Sequence, residues 1–477
     1  MASATGSLRP HLVVFEDHSW RGLRPLAASV PVFELRCGLF STRERLELLG
    51  ARGSLRCRPG LAGLLPAASW PVADEPVADR TEFWLAGRLA PDLALVQALL
   101  ALGAQGTPFT LHDAEGLVAG LFPPPAAAAV VAAWRAWARG TTARFTVPGG
   151  AVVTPVQALP GWRLELTGDG DGGRSPALLA ALEAACAGTR GSLTRSWDVV
   201  PATAAAIAGD LAGGLAAGGW ERRPFGLFAE DPGAAPWTGR SLPRRCSGPD
   251  LPAGIWLQGD DLWCADGVTL APGAVLDTRR GAVVIDRGCD IASHSLLEGP
   301  LYLGPGCRVK AGARLYGESS FGIGNRLAGE IGESTFGDFT NKQHEGFIGH
   351  AVLGSWVNLG ALTTCSDLKN NYGTVKVDLG DGQEATGQRF VGLLAGDHVK
   401  TAIGTLFNTG TCVGFASNIF GQGMPPKHVP AYSWGGREGD PVYGLEAAVA
   451  TARVVVGRRG CRFLPAHAEL FDILSRA

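Results

Sequence analysis

A strict six-residue period dominates the second half of the chain. Apolar side chains recur at eight successive sixth positions, at Ile285, Ile291, Leu297, Leu303, Val309, Leu315, Phe321 and Leu327. A small residue follows most of them four positions later, at Cys289, Ser295, Cys307, Ala313 and Ser319. Neither the 3.6-residue period of an α-helix nor the two-residue period of a strand produces this spacing. A hexapeptide repeat is typical of a triangular parallel β-helix, in which each apolar residue points into the coil.

The same step extends beyond this run on both sides. Leu270 and Leu276 precede it, and Phe347, Leu353 and Leu359 resume it later. The interruptions, at about 328–346 and 362–390, are predicted to be loops that project from the coil. Gaps of this kind in a rigid scaffold are where a functional site is usually built.

The first half of the chain has the pattern of an α/β domain. The apolar run 11–17 predicts a first strand, 41–50 a helix, and 80–103 a strand, a turn and a helix. Further helices are predicted at 126–140, 176–188, 202–219, 445–457 and 465–477, and a loop at 167–176. The predicted organisation is an α/β domain over 1–228, a linker over 229–254, the β-helix over 255–436 and C-terminal helices over 437–477.

Composition excludes several classes of protein. A net charge of -2 and a pI near 6.5 argue against nucleic-acid binding and against a polybasic membrane binder. The ten cysteines contain no C-x-x-C pair, which argues against a zinc ribbon or a redox motif and favours core residues in a reducing compartment. The N-terminal residues lack the apolar region of a signal peptide, and the Ala-rich stretch 121–138 is too weakly apolar to span a membrane. We therefore expect a soluble cytoplasmic protein.

All six lysines lie after residue 300, whereas the basic side chains before it are arginines. They are Lys310, Lys342, Lys369, Lys376, Lys400 and Lys427. Lysine and arginine are not equivalent at a phosphate site, so this segment is predicted to need compact ammonium groups. Chance clustering is the alternative.

Longer motifs carry a resemblance to a known family. The strongest are "NKQHEGFIGHAVLGSWVNLG" (341–360), "SDLKNNYGTVKV" (366–377), "FVGLLAGDHVKTAIGTLFNTGT" (390–411) and "GMPPKHVPAYSWGG" (423–436). Shorter ones are "FED" (15–17), "LRPL" (23–26), "PVFELRCG" (31–38) and "SWDVV" (196–200). The chain resembles the GlmU-like sugar nucleotidyltransferase/acetyltransferase proteins, and most closely a divergent branch of sugar nucleotidyltransferases. The resemblance implies an α/β nucleotidyltransferase-like domain followed by a left-handed parallel β-helix with terminal helices, usually assembled as a homotrimer.

His344 matches the general base of that family. The amine of an amino sugar must lose a proton before it attacks a thioester, and imidazole, with a pKa near 6.5, suits this task. Two other interpretations stay open, a solvated histidine in a turn and a residue that binds the acceptor without chemistry.

The resemblance also implies residues that bind substrate. Asn358 matches the family's asparagine in its N-[IL]-G-A motif, and Asn371 and Tyr372 match its asparagine–tyrosine pair. The remaining candidates are lysines predicted to bind the sugar phosphate or the phosphates of coenzyme A, namely Lys342, Lys369, Lys376 and Lys400. Two positions depart from the family pattern, because Phe347 replaces a tyrosine and His350 an acidic residue.

The N-terminal motifs depart further from the family. The phosphate-binding glycine loop is missing from 15–32, Val32 stands at the position of a lysine, and Arg88 stands where an aspartate is usual. Arg21, Arg24 and Arg36 are predicted to bind phosphates, and Asp17 and Asp198 to hold Mg²⁺. The alternatives are surface arginines and a helix-capping aspartate.

Together these motifs predict an enzyme of nucleotide-sugar biosynthesis. The β-helix would transfer an acetyl group from acetyl-CoA to an amino-sugar phosphate, and the first domain would join a sugar 1-phosphate to a nucleoside triphosphate with Mg²⁺. Two rivals remain. In one, only nucleotidyl transfer occurs and the β-helix is an oligomerisation scaffold, and in the other the chain is a non-catalytic sugar-nucleotide-binding protein.

Overall fold

The architecture is taken from a computed structural model of the chain. It describes residues 9–65, 70–147, 152–157, 161–166, 180, 182–184, 187, 191–214, 224–235, 237 and 243–477. Contacts divide the chain into two compact units. The first comprises residues 1–20, 31–34 and 42–194, and the second comprises residues 21–30, 35–41 and 195–477. The predicted domain bounds at 228, 254 and 436 stay predictions.

The first unit is built on a mixed seven-stranded sheet. Its strands are β1 (His11–Phe15), β2 (Gly53–Arg56), β3 (Glu82–Ala86), β4 (Phe109–Asp113), β5 (Gly116–Phe122), β6 (Val152–Pro155) and β7 (Arg163–Leu166), in the order β2-β1-β3-β5-β4-β7-β6. β1 pairs in parallel with β2 and β3, and the remaining pairs are antiparallel. The α/β prediction for this part of the chain is confirmed.

Apolar side chains on the first strands build the core of this unit. Phe15 and Trp84, on the neighbouring strands β1 and β3, place their ring centroids 5.4 Å apart, and Trp134 packs in the same cluster. In the described ranges, the helices with defined bounds are α1 (Leu26–Ser29), α2 (Thr42–Leu48), α3 (Leu93–Ala104), α4 (Pro124–Ala138), α5 (Val199–Ala212), α6 (Leu445–Gly457) and α7 (Pro465–Ser475). Short 3₁₀ helices lie at His18–Leu23, Val32–Glu34, Ala62–Leu64, Ser196–Asp198 and Gly248–Asp250.

These helices and strands confirm most of the local predictions for the first half. The strands at 11–17 and 80–103 and the helices at 41–50, 80–103 and 126–140 are present with small shifts of their ends. The helix predicted at 202–219 begins earlier, at Val199. The loop at 167–176 lies outside the described residues, as does most of the helix predicted at 176–188.

The second unit contains a parallel β-solenoid with three faces, as the hexapeptide period predicts. The first face is a ten-stranded sheet of β8 (Arg244–Cys246), β10 (Leu262–Cys264), β13 (Val283–Ile285), β16 (Leu301–Leu303), β19 (Ser319–Phe321), β22 (Thr335–Phe336), β25 (Val352–Leu353), β29 (Leu394–Ala395), β32 (Cys412–Val413) and β34 (His428–Val429). Only β8, at the edge, runs antiparallel. The left-handed sense of the coil stays a prediction.

The other two faces have shorter strands. The second face consists of β9 (Trp256–Gln258), β12 (Val275–Asp277), β15 (Leu296–Glu298), β18 (Arg314–Leu315), β21 (Glu330–Gly332) and β24 (Phe347–Gly349), followed by β26 (Thr364–Cys365) and β31 (Leu406–Phe407). The third face consists of β11 (Thr269–Leu270), β14 (Asp290–Ile291), β17 (Arg308–Val309), β20 (Arg326–Leu327) and β23 (Asn341–Lys342), followed by β30 (Lys400–Thr401), β33 (Asn418–Ile419) and β35 (Trp434–Gly435).

The apolar series from Ile285 to Leu327 points into the coil at every position. Its members are 0–2% exposed, and the small residues between them are fully buried. Phe321 and Phe336 meet edge to face inside the coil, with ring centroids 5.1 Å apart. A fully buried phenylalanine contributes about 1.5–3 kcal/mol relative to an exposed one, so both rings stabilise the solenoid.

The prediction of a projecting loop at 328–346 was wrong, because the chain stays in the coil there and makes shorter turns. A regular turn runs from Leu303 to its strand partner Phe321. Phe321 then pairs with Phe336, and Phe336 with Leu353. Each of these two turns spans fewer residues than the regular one, so the period slips while the chain stays in the coil.

The same slip changes which side chain of β24 points inward. Ile348 pairs with Ile331 of the preceding coil, and both are fully buried. Phe347, for which the inward position was predicted, is only half-buried. The inward position is therefore shifted by one residue on β24, whereas Leu353 and Leu359 point inward as predicted.

The second predicted interruption, at 362–390, contains a projecting segment. Val352 pairs with Leu394, which is much farther along the chain than one turn of the coil, so the chain leaves the coil between them. We call residues 366–390 the insert. It contains a hairpin of β27 (Lys376–Asp378) and β28 (Gln383–Ala385).

The helices of the second unit pack on the solenoid or on each other. α5 lies against β16, β19 and β22, and α6 packs against α7, which confirms the two C-terminal helices. The nine described cysteines are free of disulfides, and all but Cys246 are buried. Over the described ranges, every helix is too short or too polar to cross a bilayer.

Candidate functional sites

The third face of the solenoid aligns one outward-facing residue from each coil. Strand pairing and two single bridges place these residues side by side, and we call Arg308, Arg326, Asn341, Asn358 and Lys400 the outer column. The next position on each strand points inward and forms the inner column, of Val309, Leu327, Lys342, Leu359 and Thr401. Sequence-predicted residues therefore occur in both columns, with different access to solvent.

A cavity of about 390 Å³ opens along the outer column. Asn341 Nδ2 donates a 2.6 Å hydrogen bond to Asn358 Oδ1 on its floor. The rings of Phe339 and Trp356 stack with centroids 4.6 Å apart in its wall. The complete lining is Arg326, Phe339, Asn341, Gln343, Trp356, Val357, Asn358, Lys400, Val455, Arg458 and Arg459. Of the predicted substrate-binding residues, the cavity thus brings together Asn358 and Lys400.

Lys400 is a partly buried cation in this cavity. Its Nζ donates a 2.9 Å hydrogen bond to the carbonyl of His398, and burial lowers its pKa to about 8. An ammonium group held this way gains from an anionic ligand, because a nearby negative charge offsets the loss of solvation.

His344 does not line this cavity, but it follows Gln343, which does. It is exposed at the corner between β23 and β24. The corner is held by its main chain, because the carbonyl of His344 accepts a hydrogen bond from Lys342 Nζ. The imidazole is therefore accessible to a ligand, while its backbone is fixed.

Lys342 belongs to the inner column and is 1% exposed. Its Nζ donates to the carbonyls of His344 and, at 3.1 Å, of Ala328, and burial lowers its pKa to about 8. A Cβ at Gly329, where φ is +72°, would lie 2.9 Å from that Nζ. The ammonium group is thus committed to the backbone of the corner that carries His344.

The insert holds the other predicted binding residues, and none of them lines the cavity. Tyr372 is 69% exposed with a φ of +56°, and Asn371 Oδ1 accepts a 3.1 Å hydrogen bond from Gly373 N. Lys369 Nζ donates to the carbonyl of Thr374 at 3.1 Å, and Lys376 is exposed at the start of β27. These groups stabilise the insert locally or face solvent.

His350, one of the departures from the family pattern, forms a histidine–carboxylate pair. Its Nδ1 lies 2.8 Å from Asp367 Oδ2, and its ring stacks on Phe390 at 4.8 Å. Glu333 Oε2 lies 4.0 Å from the same nitrogen, and burial raises the pKa of Glu333. Phe347 is the other departure from the family pattern. It lies on β24 and is half-buried.

In the first unit, polar groups gather at the carboxyl ends of the parallel strands β1 and β3, where open α/β sheets bind ligands. Asp17 and His18 follow β1, and both are buried. Asp17 Oδ2 and His18 Nε2 have no hydrogen-bond partner among the described residues. Because Phe145 N donates to His18 Nδ1, the neutral imidazole carries its proton on Nε2. One acceptor and one donor are therefore available side by side.

The arginine that replaces the expected aspartate has a carboxylate partner of its own. Arg88, after β3, is 2% exposed and forms a bidentate ion pair with Asp113, with Nη2 2.8 Å from Oδ1. The guanidinium group lowers the pKa of Asp113 against the opposing effect of its burial. Glu16 is likewise occupied, since it accepts hydrogen bonds from Val32 N at 3.2 Å and Arg58 Nε at 2.9 Å.

The predicted phosphate-binding arginines lie in the second unit and two of them pair with carboxylates. Arg24 forms an ion pair with Asp381 of the insert, and Arg36 Nη2 lies 3.7 Å from Asp338. Arg21 is exposed, and its carbonyl accepts a 2.8 Å hydrogen bond from Arg24 Nε.

The two aspartates predicted to hold Mg²⁺ differ in their partners. Asp198 Oδ2 accepts a 2.8 Å hydrogen bond from Arg195 N, as the helix-capping alternative expects. Asp17 keeps its buried Oδ2 without a partner among the described residues. The described residues contain no group of three or more side chains able to hold a metal. Mg²⁺ in phosphate-transferring sites commonly takes one or two carboxylates together with substrate phosphates, so Asp17 fits that role.

Sequence reasoning missed several residues of these sites. His18 lies next to a predicted residue, but its orphaned Nε2 depends on the contact with Phe145. Arg458 and Arg459 reach the cavity only because α6 packs beside the outer column. The signal available in the sequence was the Arg-Arg pair that directly follows a predicted helix.

Two comparisons with known proteins bear on these sites. Residues 12–133 match a family described as sugar nucleotidyl transferase. The chain is also 34% identical over 103 residues to the bifunctional protein GlmU of Streptococcus uberis. That match spans 21% of this chain and 21% of the relative, so about one fifth of each protein is covered.

The family match covers β1, β3 and the residues Asp17, His18, Arg88 and Asp113. The resemblance to GlmU-like proteins is thereby supported in the N-terminal region, and the parallel solenoid is consistent with it. Residues 12–133 therefore resemble a sugar nucleotidyl transferase domain, and a parallel β-solenoid follows them in the chain.

Proposed function

We propose that the chain is a two-domain transferase of nucleotide-sugar synthesis. Its first domain joins a sugar 1-phosphate to a nucleotide, and its solenoid transfers an acetyl group from acetyl-CoA to an amino-sugar phosphate. The observation that carries the proposal is that one chain combines a match to sugar nucleotidyl transferases with a solenoid cavity lined by Gln343, the residue before His344. Assembly as a homotrimer and the identity of both donors belong to this proposal.

The acetyl half needs a base and a place for the acceptor. His344, which is exposed and follows the cavity residue Gln343, takes a proton from the acceptor amine, and the amine attacks the thioester carbon. The carbon–sulfur bond breaks, an amide forms, and coenzyme A leaves as a thiol with the proton returned through solvent. Asn358 and Lys400 hold the polar acceptor on the outer column.

The nucleotidyl half needs charge neutralisation at the triphosphate. Asp17 Oδ2 would hold Mg²⁺, which supplies electrostatic stabilisation of the phosphates. His18 donates its Nε2 proton to a phosphate or sugar oxygen from a buried, neutral ring, since burial lowers its pKa against the raising effect of Asp17. The sugar phosphate oxygen attacks the α-phosphorus, and pyrophosphate leaves.

The acetyl half is tested by release of free coenzyme A thiol from acetyl-CoA with amino-sugar phosphates. His344→Asn should lower the rate by about 10²–10⁴-fold, the usual contribution of a general base. His294→Asn is the matched control, because His294 is also an exposed solenoid histidine. Unchanged thiol release by His344→Asn, or none by the wild type, contradicts this half of the proposal.

The nucleotidyl half is tested by pyrophosphate release from each nucleoside triphosphate with sugar 1-phosphates and Mg²⁺. Asp17→Asn should abolish release, while Asp92→Asn leaves it unchanged, because Asp92 only caps α3 through Leu95 N. Full activity of Asp17→Asn would rule out the assigned role.

One observation favours a second candidate for the first unit, binding of a nucleotide sugar without catalysis. The buried Arg88–Asp113 pair occupies the position where a catalytic carboxylate is expected. Saturable binding of nucleotide sugars without pyrophosphate release from any pair of substrates would support this candidate over nucleotidyl transfer.

A further inference from the structure

Three arginines, Arg326, Arg458 and Arg459, line the cavity, and Arg308 acts on Arg326 and Arg459 as a neighbouring charge. Arg308 and Arg326 are neighbours in the outer column, on consecutive coils. Arg458 and Arg459 directly follow the C-terminal end of α6. The Arg459 guanidinium carbon lies 5.7 Å from the centre of the Phe339 ring, which positions it over the cavity wall.

These cations repel each other without a compensating carboxylate in the described lining. Burial lowers the pKa of Arg326, and the neighbouring positive charges of Arg308 and Arg458 lower it further. Burial, followed by Arg326 and Arg458, lowers the pKa of Arg459 to about 10. The cluster therefore favours an anion by simple electrostatics, because an opposite charge relieves both the repulsion and the loss of solvation.

The nearby carboxylate of Asp338 does not fill this role. It accepts a 2.7 Å hydrogen bond from Ile323 N and lies 3.7 Å from the Arg36 guanidinium group. Arg326 Nε is buried without a hydrogen-bond partner in the described part of the chain. A buried donor of this kind normally has a partner, so it marks a place for an acceptor.

The outer column also limits the size of the ligand. Neighbouring strands are about 4.8 Å apart, so three steps separate Arg326 from Lys400 by roughly 14 Å. Asn341 and Asn358 lie between them, and Asn341 Oδ1 has no partner among the described residues. A molecule with an anionic end at the arginines and a polar body over the asparagines matches this order of groups.

We propose that the arginine end of the cavity is a binding site for the phosphate of a phosphomonoester or pyrophosphate-bearing ligand. A guanidinium group can donate two parallel hydrogen bonds to the oxygens of one phosphate. A bound phosphate would therefore replace the repulsion among these cations with ion pairs. Because two of these arginines directly follow α6, the ligand also holds the end of that helix against the third face. The inference does not depend on either proposed transfer reaction, because it concerns binding alone.

Inorganic pyrophosphate is the probe, titrated by calorimetry at constant ionic strength into the full-length protein. Arg326→Gln and Arg459→Gln should each weaken binding by about tenfold or more, since each removes charge-assisted hydrogen bonds. Arg462→Gln, which removes the same charge from an exposed position just after Arg459, should leave the affinity unchanged.

The unfolding temperature, measured with and without pyrophosphate, distinguishes an arginine that binds the ligand from one that only stabilises the fold. Without ligand, the two variants should unfold at the same temperature as the wild type or higher, because a repelling charge is gone, yet pyrophosphate should no longer raise that temperature. Absence of any stabilisation of the wild type overturns the proposal, as does equal weakening by Arg462→Gln. Should Arg326→Gln fail to fold, Arg459→Gln carries the same comparison.

Competition identifies the source of the phosphate. A sugar 1-phosphate, adenosine 3′,5′-bisphosphate and a nucleoside triphosphate are each titrated against bound pyrophosphate. Displacement by one of them names the ligand class. Failure of all three while pyrophosphate binds supports a site for free phosphate anions, and loss of enzymatic activity plays no part in the decision.

Discussion

Replacing Lys342 with methionine should stabilise the protein at neutral pH. Lys342 occupies an inward position that Leu327 and Val309 fill on the preceding coils. Methionine has similar length and carries no charge, so it fits a position surrounded by apolar residues. The substitution removes the free-energy cost of burying an ammonium group and leaves the outer column untouched.

The magnitude follows from the pKa of Lys342. It is about 8 in the fold and about 10.4 in an unfolded chain, a difference worth about 3 kcal/mol. Below pH 8 the lysine is charged in both states, so the folded state bears the whole cost. Between pH 8 and about 10.4 the folded state has released the proton while the unfolded state still binds it, so wild-type stability rises with pH.

The variant also loses two hydrogen bonds, to the carbonyls of Ala328 and His344. Each contributes about 1 kcal/mol, so the net gain of Lys342→Met at pH 7 should be about 1 kcal/mol. As the pH rises above 8, this gain should disappear and change sign, because the wild type no longer buries a charge.

Urea unfolding followed by circular dichroism, at pH values from 7 to about 10, measures both curves. Lys310→Met is the control, because Lys310 is an exposed lysine of the same solenoid. A destabilised Lys342→Met at pH 7, or a difference between variant and wild type that does not depend on pH, would refute the reasoning.

Three further changes test other parts of the fold. Phe321→Ala should lower the free energy of unfolding by about 3–5 kcal/mol, because it removes a fully buried ring from the stack with Phe336, and urea unfolding measures the loss. Asp113→Asn should cost about 3–5 kcal/mol by leaving Arg88 buried without its counter-charge, whereas Asp92→Asn should change stability little, because asparagine caps a helix about as well as aspartate. Gly410→Ala should loosen the insert, since its Cβ would lie 2.7 Å from Val375 Cγ1 at a φ of +59°, and faster hydrogen exchange in residues 366–390 would reveal it.

The six-residue period predicted the solenoid because each inward position must be apolar on every coil. It could not predict the shortened turns after Leu327, since a shorter turn keeps the three faces aligned while it breaks the period. The same slip explains why Ile348, rather than Phe347, points inward. Only the pairing of neighbouring coils reveals where such a slip ends.

The candidate sites were predictable to the extent that their residues are local in sequence. Asn358 and Lys400 come together because they belong to neighbouring coils of one face. The inward orientation of Lys342 runs against the rule that charged side chains avoid the interior, so its burial was not foreseen. The arginines after α6 and the Arg88–Asp113 pair depend on contacts between distant segments, which no local pattern encodes.

The most direct test of the account incubates the protein with an amino-sugar 1-phosphate, isotopically labelled acetyl-CoA, nucleoside triphosphates and Mg²⁺, and analyses the products by mass spectrometry. The account predicts a nucleotide sugar that carries the labelled acetyl group on its amine, and loss of the label in its product with His344→Asn. A nucleotide sugar without label, from an acceptor that remains an amine, would contradict acetyl transfer by the solenoid. Recovery of all substrates unchanged would contradict both transfers.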